Sequence, residues 1–232
     1  MRFALILSAL AALFVPQDGR AQPAPVVVEL FTSQGCSSCP PADALLAELA
    51  GTEGVIALAL HVDYWDYLGW TDSFAAPRYT ERQRAYAKAA KSRTIFTPQM
   101  VVQGAERLKG HDATRIREKI AAHRMREVPV GLTLEPDGDG LAVRIEAREE
   151  GLGPADVHLV RFVPEETVAI EAGENAGQTV TYSNIVSDWQ TIGQWDGRST
   201  ADFVYRGAGD GPFAVIVQRV RMGPVLAAAR VP

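Results

Sequence analysis

The sequence predicts an α/β domain followed by an antiparallel β domain. Two observations carry this expectation. Val26-Val27-Val28-Glu29-Leu30-Phe31 and Val55 to Val62 are near-continuous apolar runs, as strands buried on both faces should be, and a helical pattern lies between them. After Arg126 no strong helical periodicity remains, and strand-length segments follow one another to the end. A chain of 232 residues has room for one large domain or two modest ones. The formal charge of −5 gives no support to a nucleic-acid partner.

Met1-Arg2 and the apolar run Phe3 to Val15 have the form of a signal peptide, residues 1–21, with cleavage expected after Gly19-Arg20-Ala21. The run falls short of the roughly 20 apolar residues a membrane span needs. An uncleaved anchor is the other reading. Cleavage removes two arginines and one aspartate, so the mature chain is one unit more negative. It is expected to start at Gln22, to be exported to the periplasm or beyond, and to leave the membrane. Disulfides persist in such a compartment.

The α/β domain is expected over 26–126. Its first strand leads into Thr32-Ser33-Gln34-Gly35-Cys36-Ser37-Ser38-Cys39-Pro40-Pro41, which holds both cysteines of the chain. Ala42, Leu45, Leu46 and Leu49 then mark one helical face. The second strand runs from Val55 and ends at His61-Val62-Asp63-Tyr64-Trp65. A strand, helix and strand this close make a βαβ unit with parallel strands, whose chemistry gathers at the carboxyl ends. His61, Asp63, Tyr64 and Trp65 are therefore expected to border the cysteines. Ala75 to Ser92 reads as a helix whose Arg78, Arg82, Arg84, Lys88 and Lys91 form a solvated face or a basic rim near the thiols. Met100 to Gly104 is a strand after Thr97-Pro98, Arg107 to Gly110 a short partner, and Asp112 to Arg124 a helix capped by Asp112.

The β domain is expected over 127–232. Val130 to Leu134 and Leu141 to Ala147 flank the turn Pro136-Asp137-Gly138-Asp139-Gly140. Val157 to Val163, Thr167 to Glu171, Thr179 to Ser187, Ala201 to Tyr205, Phe213 to Arg219 and Val225 to Val231 continue the pattern, as a sandwich or partly closed sheet.

Cysteines three apart at a strand-to-helix turn can bridge. A helix start stabilises thiolate through its partial charge and unpaired N–H groups. Cys36 is expected at or just before the first helical residue, exposed and acidic, with Cys39 one turn in as the resolving thiol. The other reading is an inert disulfide that staples the turn. Trp65, Trp70, Trp189 and Trp195 are core or binding residues.

The order of elements resembles the thioredoxin fold over Val26 to Arg124. That resemblance implies that Pro98, before its strand, is cis and faces the dithiol; an ordinary trans proline is the alternative. It also implies that Glu29 sits where thioredoxins carry a buried acid that helps the second thiol lose its proton; an exposed strand-edge glutamate is the alternative. The segments 29–43, 61–70, 82–86 and 97–102, with Gly173-Glu174-Asn175-Ala176-Gly177 and Asn184-Ile185-Val186, resemble the DUF1223 family of secreted, thioredoxin-like bacterial proteins.

Three functions follow. The first is an exported thiol–disulfide oxidoreductase without cofactor, in which Cys36 attacks, Cys39 resolves, Pro98 shapes the groove, and the partner is a protein dithiol or disulfide or a small thiol. The second is a copper-handling module using Cys36, Cys39 and His61. The third is a non-catalytic binding protein on the same scaffold.

Overall fold

The computed structural model describes residues 24–207 and 211–231. The expected signal peptide and the start at Gln22 lie outside the described residues. No helix among the described residues is long and apolar enough to cross a membrane.

The chain is mixed α/β. Strands β1 (Val26–Thr32) and β2 (Val55–His61) pair in parallel, with Val26 opposite Val55 and Thr32 opposite His61. Helix α1 (Pro40–Ala50) connects them. After α2 (Pro77–Ala89), strand β3 (Gln99–Val102) runs antiparallel to β1 on its other edge, and β4 (Glu106–Lys109) pairs with β3. Helix α3 (Ala113–Arg124) follows, with the Asp112 carboxylate accepting from the Arg115 N–H at 3.2 Å.

All seven positions of β1 and of β2 are buried, which explains their unbroken apolar character. Alternate side chains serve two cores. Val26, Val28 and Leu30 pack with Ala42, Leu45, Leu46 and Leu49 of α1 and with Ile116 and Ile120 of α3. Val27 and Phe31 pack on the opposite face with Tyr79 and Tyr86 of α2.

The later strands depart from the expected separate body. Strands β7 (Ala155–Ala169), β8 (Thr179–Trp195), β10 (Phe213–Arg219) and β11 (Val225–Val231) extend the first sheet to eight strands, in the order β11-β10-β7-β8-β2-β1-β3-β4. The junction is parallel, Ala59 of β2 opposite Ile185 of β8. Asn184, at a φ of 49°, places its side-chain amide on the Ala57 carbonyl at 2.9 Å. Left-handed backbone suits asparagine among non-glycine residues, and here it frees the amide to bridge the two strands. Strands β5 (Val130–Asp137), β6 (Gly140–Ala147) and β9 (Ala201–Arg206) make a second, antiparallel sheet. Its Val143 and Ile145 pack against Val157, Leu159, Val215 and Val217 of the large sheet. The sandwich thus shares a layer with the α/β half. Val157 to Val163 and Thr167 to Glu171 look like two segments because Pro164 cannot donate to a ladder. They belong largely to one 15-residue strand, paired along β8 with two shifts of register.

Candidate functional site

The chain leaves β1 at Thr32 and makes two tight turns. The Cys36 N–H donates to the Ser33 carbonyl, and the Cys39 N–H to the Cys36 carbonyl, both at 3.1 Å. Cys36 and Cys39 are joined as a disulfide with their Cα atoms 5.4 Å apart. Helix α1 begins at Pro40, so Cys39 is the residue at the helix start and Cys36 lies a turn earlier, not at or just before the first helical residue as expected. The prolines explain the shift. Their fixed φ suits the first helical positions, where a missing N–H costs nothing. They also change the electrostatics. Pro40 and Pro41 have no N–H, and those of Cys39, Ala42 and Asp43 are all bonded to carbonyls. The first turn of α1 therefore offers Cys36 no unpaired N–H among these positions.

A second correction concerns exposure. Cys36 is 1% exposed and Cys39 0%; only Ser37 and Ser38 of the turn reach solvent. Three groups cover Cys36. The Thr97 hydroxyl donates to its Sγ at 3.3 Å, and the Trp65 indole N–H donates to that hydroxyl at 2.7 Å. The third group is Asn175, on the loop between β7 and β8. Its side-chain amide donates to the Gln34 carbonyl at 2.8 Å and the Cys36 carbonyl at 3.0 Å. The loop is a strap closed at its base by bonds between Ile170 and both Gly177 and Gln178. Asn175 is 2% exposed, though most of the strap faces solvent.

The Thr97–Pro98 bond is cis, and Pro98 is buried beside α1. Gly110, past the end of β4, makes this contact possible. Its N–H donates to the Pro98 carbonyl at 2.9 Å. A Cβ there would lie 2.7 Å from Pro98 Cβ, closer than side chains tolerate, and a tight 3.0 Å from Ala42 Cβ.

His61 sits at the end of β2, opposite Thr32. Its Nδ1 lies 2.7 Å from Asp72 Oδ2, and its ring stands edge-on to Phe74 and Tyr182, with centroids 5.2 and 4.9 Å away. Its Nε2 is buried and has no partner among the described residues. Of the other residues expected to border the dithiol, Trp65 does so through Thr97. Asp63 and Tyr64 turn to α2, where Asp63 accepts from the Thr80 hydroxyl at 2.5 Å and Tyr64 donates to Gln83 at 3.1 Å. Among the described residues no three His, Cys, Asp or Glu side chains are grouped to hold a metal ion, and Cys36 and Cys39, two of the ligands of the alternative metal site with His61, are tied up in the disulfide.

Glu29 is fully buried, one of its two expected alternatives, but it does not serve the thiols. Strand parity turns it to the α2 face, while α1 packs on the other. Its Oε2 accepts from Arg82 Nε at 2.6 Å and its Oε1 from Arg82 Nη2 at 2.9 Å and Tyr86 Oη at 2.5 Å. Arg82 in turn donates to Gln218 on β10 and lies 3.7 Å over the Trp189 ring. It is thus no part of a solvated face.

The acid that does belong to the site is Asp43, on the first turn of α1 and 6% exposed. The Thr32 hydroxyl donates to its Oδ1 at 2.7 Å, while Oδ2 is buried without a partner among the described residues. Burial pushes its carboxyl up to about 7, against the opposing pull of the Thr32 hydroxyl and His61, and Asp72 adds to the rise. The sequence held one signal: an aspartate four residues after Cys39, directly beside an apolar helical stripe.

The chain is similar to two solved structures. HBP35 of Porphyromonas gingivalis is 16% identical, with a TM-score of 0.62 over 90% of this chain and 75% of that one, a likeness of fold alone. A crystallised protein from Agrobacterium tumefaciens is 35% identical, with a TM-score of 0.78 over 91% of this chain and 96% of that one. No curated protein matches. The family model described as "Protein of unknown function (DUF1223)" matches residues 27–218, and the chain belongs to the DUF1223 family.

Proposed function

We propose that this is an exported, thioredoxin-like thiol–disulfide oxidoreductase acting through Cys36 and Cys39. The observation that carries the reading is the setting of the disulfide: a strand-to-helix turn, with the Thr97 hydroxyl on Cys36 Sγ. Cys36 is the sulfur that a partner meets, because it lies nearer the open end of the turn beside the exposed Ser37 and Ser38. Cys39 lies at the helix start behind it and resolves the mixed disulfide. Partners are thiols or disulfides, small or protein-borne, and the strap held by Asn175 has to yield to a large one.

Burial of both sulfurs favours a second reading, a structural staple. One experiment separates the two. The Cys39→Ser variant, expressed with its leader, should accumulate covalent adducts that reductant dissolves, and Cys36→Ser should not. Equal trapping by both variants, or by neither, supports the staple.

A further inference from the structure

Asp43, whose backbone N–H donates to the Cys39 carbonyl, and His61, opposite Thr32, each carry a buried polar atom without a partner among the described residues: Asp43 Oδ2 and His61 Nε2. Unpaired buried groups are uncommon in folded proteins and call for a physical reason. We propose that Asp43 is the internal acid–base of this centre, delivering a proton to the Cys39 sulfur when the disulfide opens and removing it when the disulfide closes. The inference rests on the redox reading above.

The geometry supports it in three ways. Cys39 and Asp43 are four apart at the start of α1, so they share a helix face, and both point into the interior. The Thr32 hydroxyl fixes one Asp43 oxygen and leaves the other free. The other two buried carboxylates among the described residues are engaged. Asp72 Oδ2 is taken by the Gln34 N–H and His61 Nδ1, and its Oδ1 by the Phe74 N–H. Glu29 is committed to Arg82 on the far face of β1.

The need for such a group follows from burial. An external thiolate attacks Cys36 Sγ, a mixed disulfide forms there, and the bond to Cys39 breaks with its electron pair on Cys39 Sγ. A thiolate left in a dry interior is costly. The Asp43 carboxyl gives its proton to that sulfur and becomes a carboxylate. In the reverse step the carboxylate takes the Cys39 proton, Cys39 attacks Cys36 Sγ, and the external thiolate leaves. The groups facing Asp43 are Thr32 from β1, His61 from β2, Asp72 from the loop beyond, and Tyr182 from β8. Burial places the carboxyl near about 7, where it can run either way.

The test uses reduced full-length protein and glutathione disulfide. The mixed disulfide on Cys36 is quenched with acid at intervals and followed by mass spectrometry across neutral pH. In the parent, the rate at which Cys39 resolves it should bend near about pH 7. In Asp43→Asn the bend should vanish and resolution should slow at least about tenfold, with formation at Cys36 unaltered. Asp43→Glu should restore part of both. Thr32→Val, which removes the hydroxyl that stabilises the carboxylate, should move the bend upward; this arm decides if Asp43→Asn does not fold. A profile unmoved by Asp43→Asn, or by Thr32→Val, overturns this proposal alone. A parent that forms no mixed disulfide overturns the redox reading and this one with it.

Discussion

Replacing Arg82 with alanine should cost about 3–5 kcal/mol of stability, although α2 lies at the surface, because it strands a buried charge. Glu29 is 0% exposed and draws two of its three hydrogen bonds from Arg82, at 2.6 and 2.9 Å. Without them, Tyr86 alone faces that carboxylate. The stacking of Arg82 on Trp189, 3.7 Å away, adds about 0.5–2 kcal/mol. The two losses share one side chain and do not simply add. The reverse expectation holds for the pair together. Glu29→Leu with Arg82→Met removes both charges at similar volume and should cost much less than Arg82→Ala, since buried ion pairs roughly balance their own desolvation. Urea unfolding of the oxidised protein, followed by tryptophan fluorescence, reads both variants, and Trp189 reports the local loss directly. An Arg82→Ala cost below about 1 kcal/mol, or a double variant as weak as the single, would refute the argument.

Two further outcomes follow from the structure. Asn175→Ala removes both bonds from the strap to the Gln34 and Cys36 carbonyls, so reduction of the disulfide by dithiothreitol should quicken several-fold with little loss of stability; an unchanged rate would show that the strap does not limit access. His158 is 8% exposed, and burial, helped by Arg82, holds its imidazole down to about 3. The unfolded chain takes up that proton near about pH 6.5, so the stability tied to neutral His158 is complete above that point and is lost as pH falls toward about 3. Between about pH 7 and pH 5 the unfolding free energy should fall further in the parent than in His158→Gln, by up to about 2 kcal/mol before solvent screening; parallel losses would refute the assignment.

What the sequence made legible is what local pattern controls. The runs at 26–31 and 55–62 announced strands buried on both faces, and the i, i+3, i+4, i+7 stripe from Ala42 announced α1. The cysteine spacing and Thr97-Pro98 located the centre of interest. Distant partners were not legible. Asn175 covers Gln34 from 141 residues away, so no local cue shows that the sulfurs are buried. Asp43 reads like any first-turn acid that complements a helix dipole. Only its position against Thr32 and the end of β2 makes it a buried group. Glu29 shows the complementary limit. Alternation says that it lies opposite Val28 and Leu30, but the face that meets α1 is settled only when the helices pack.

The second half of the chain completes the centre that the first half begins. Strand β8 sets Tyr182 against the His61 ring, and its Asn184 satisfies Ala57 on β2. The strap between β7 and β8 ties down the Cys36 turn through Asn175. Beneath them one hydrophobic cluster holds Leu58 and Leu60 of β2 together with Val160 and Phe162 of β7, Val186 of β8 and Ile216 of β10. Burying such side chains is worth about 1.5–3 kcal/mol each. A chain cut after Arg126 would expose that face, open the edge of β2 and uncover the disulfide at once. Stability and access to the sulfurs are therefore set by the same contacts. A change that loosens β8 from β2 should register at Cys36 before the sheet itself gives way, because the strap is held by two hydrogen bonds and the sheet by a continuous core.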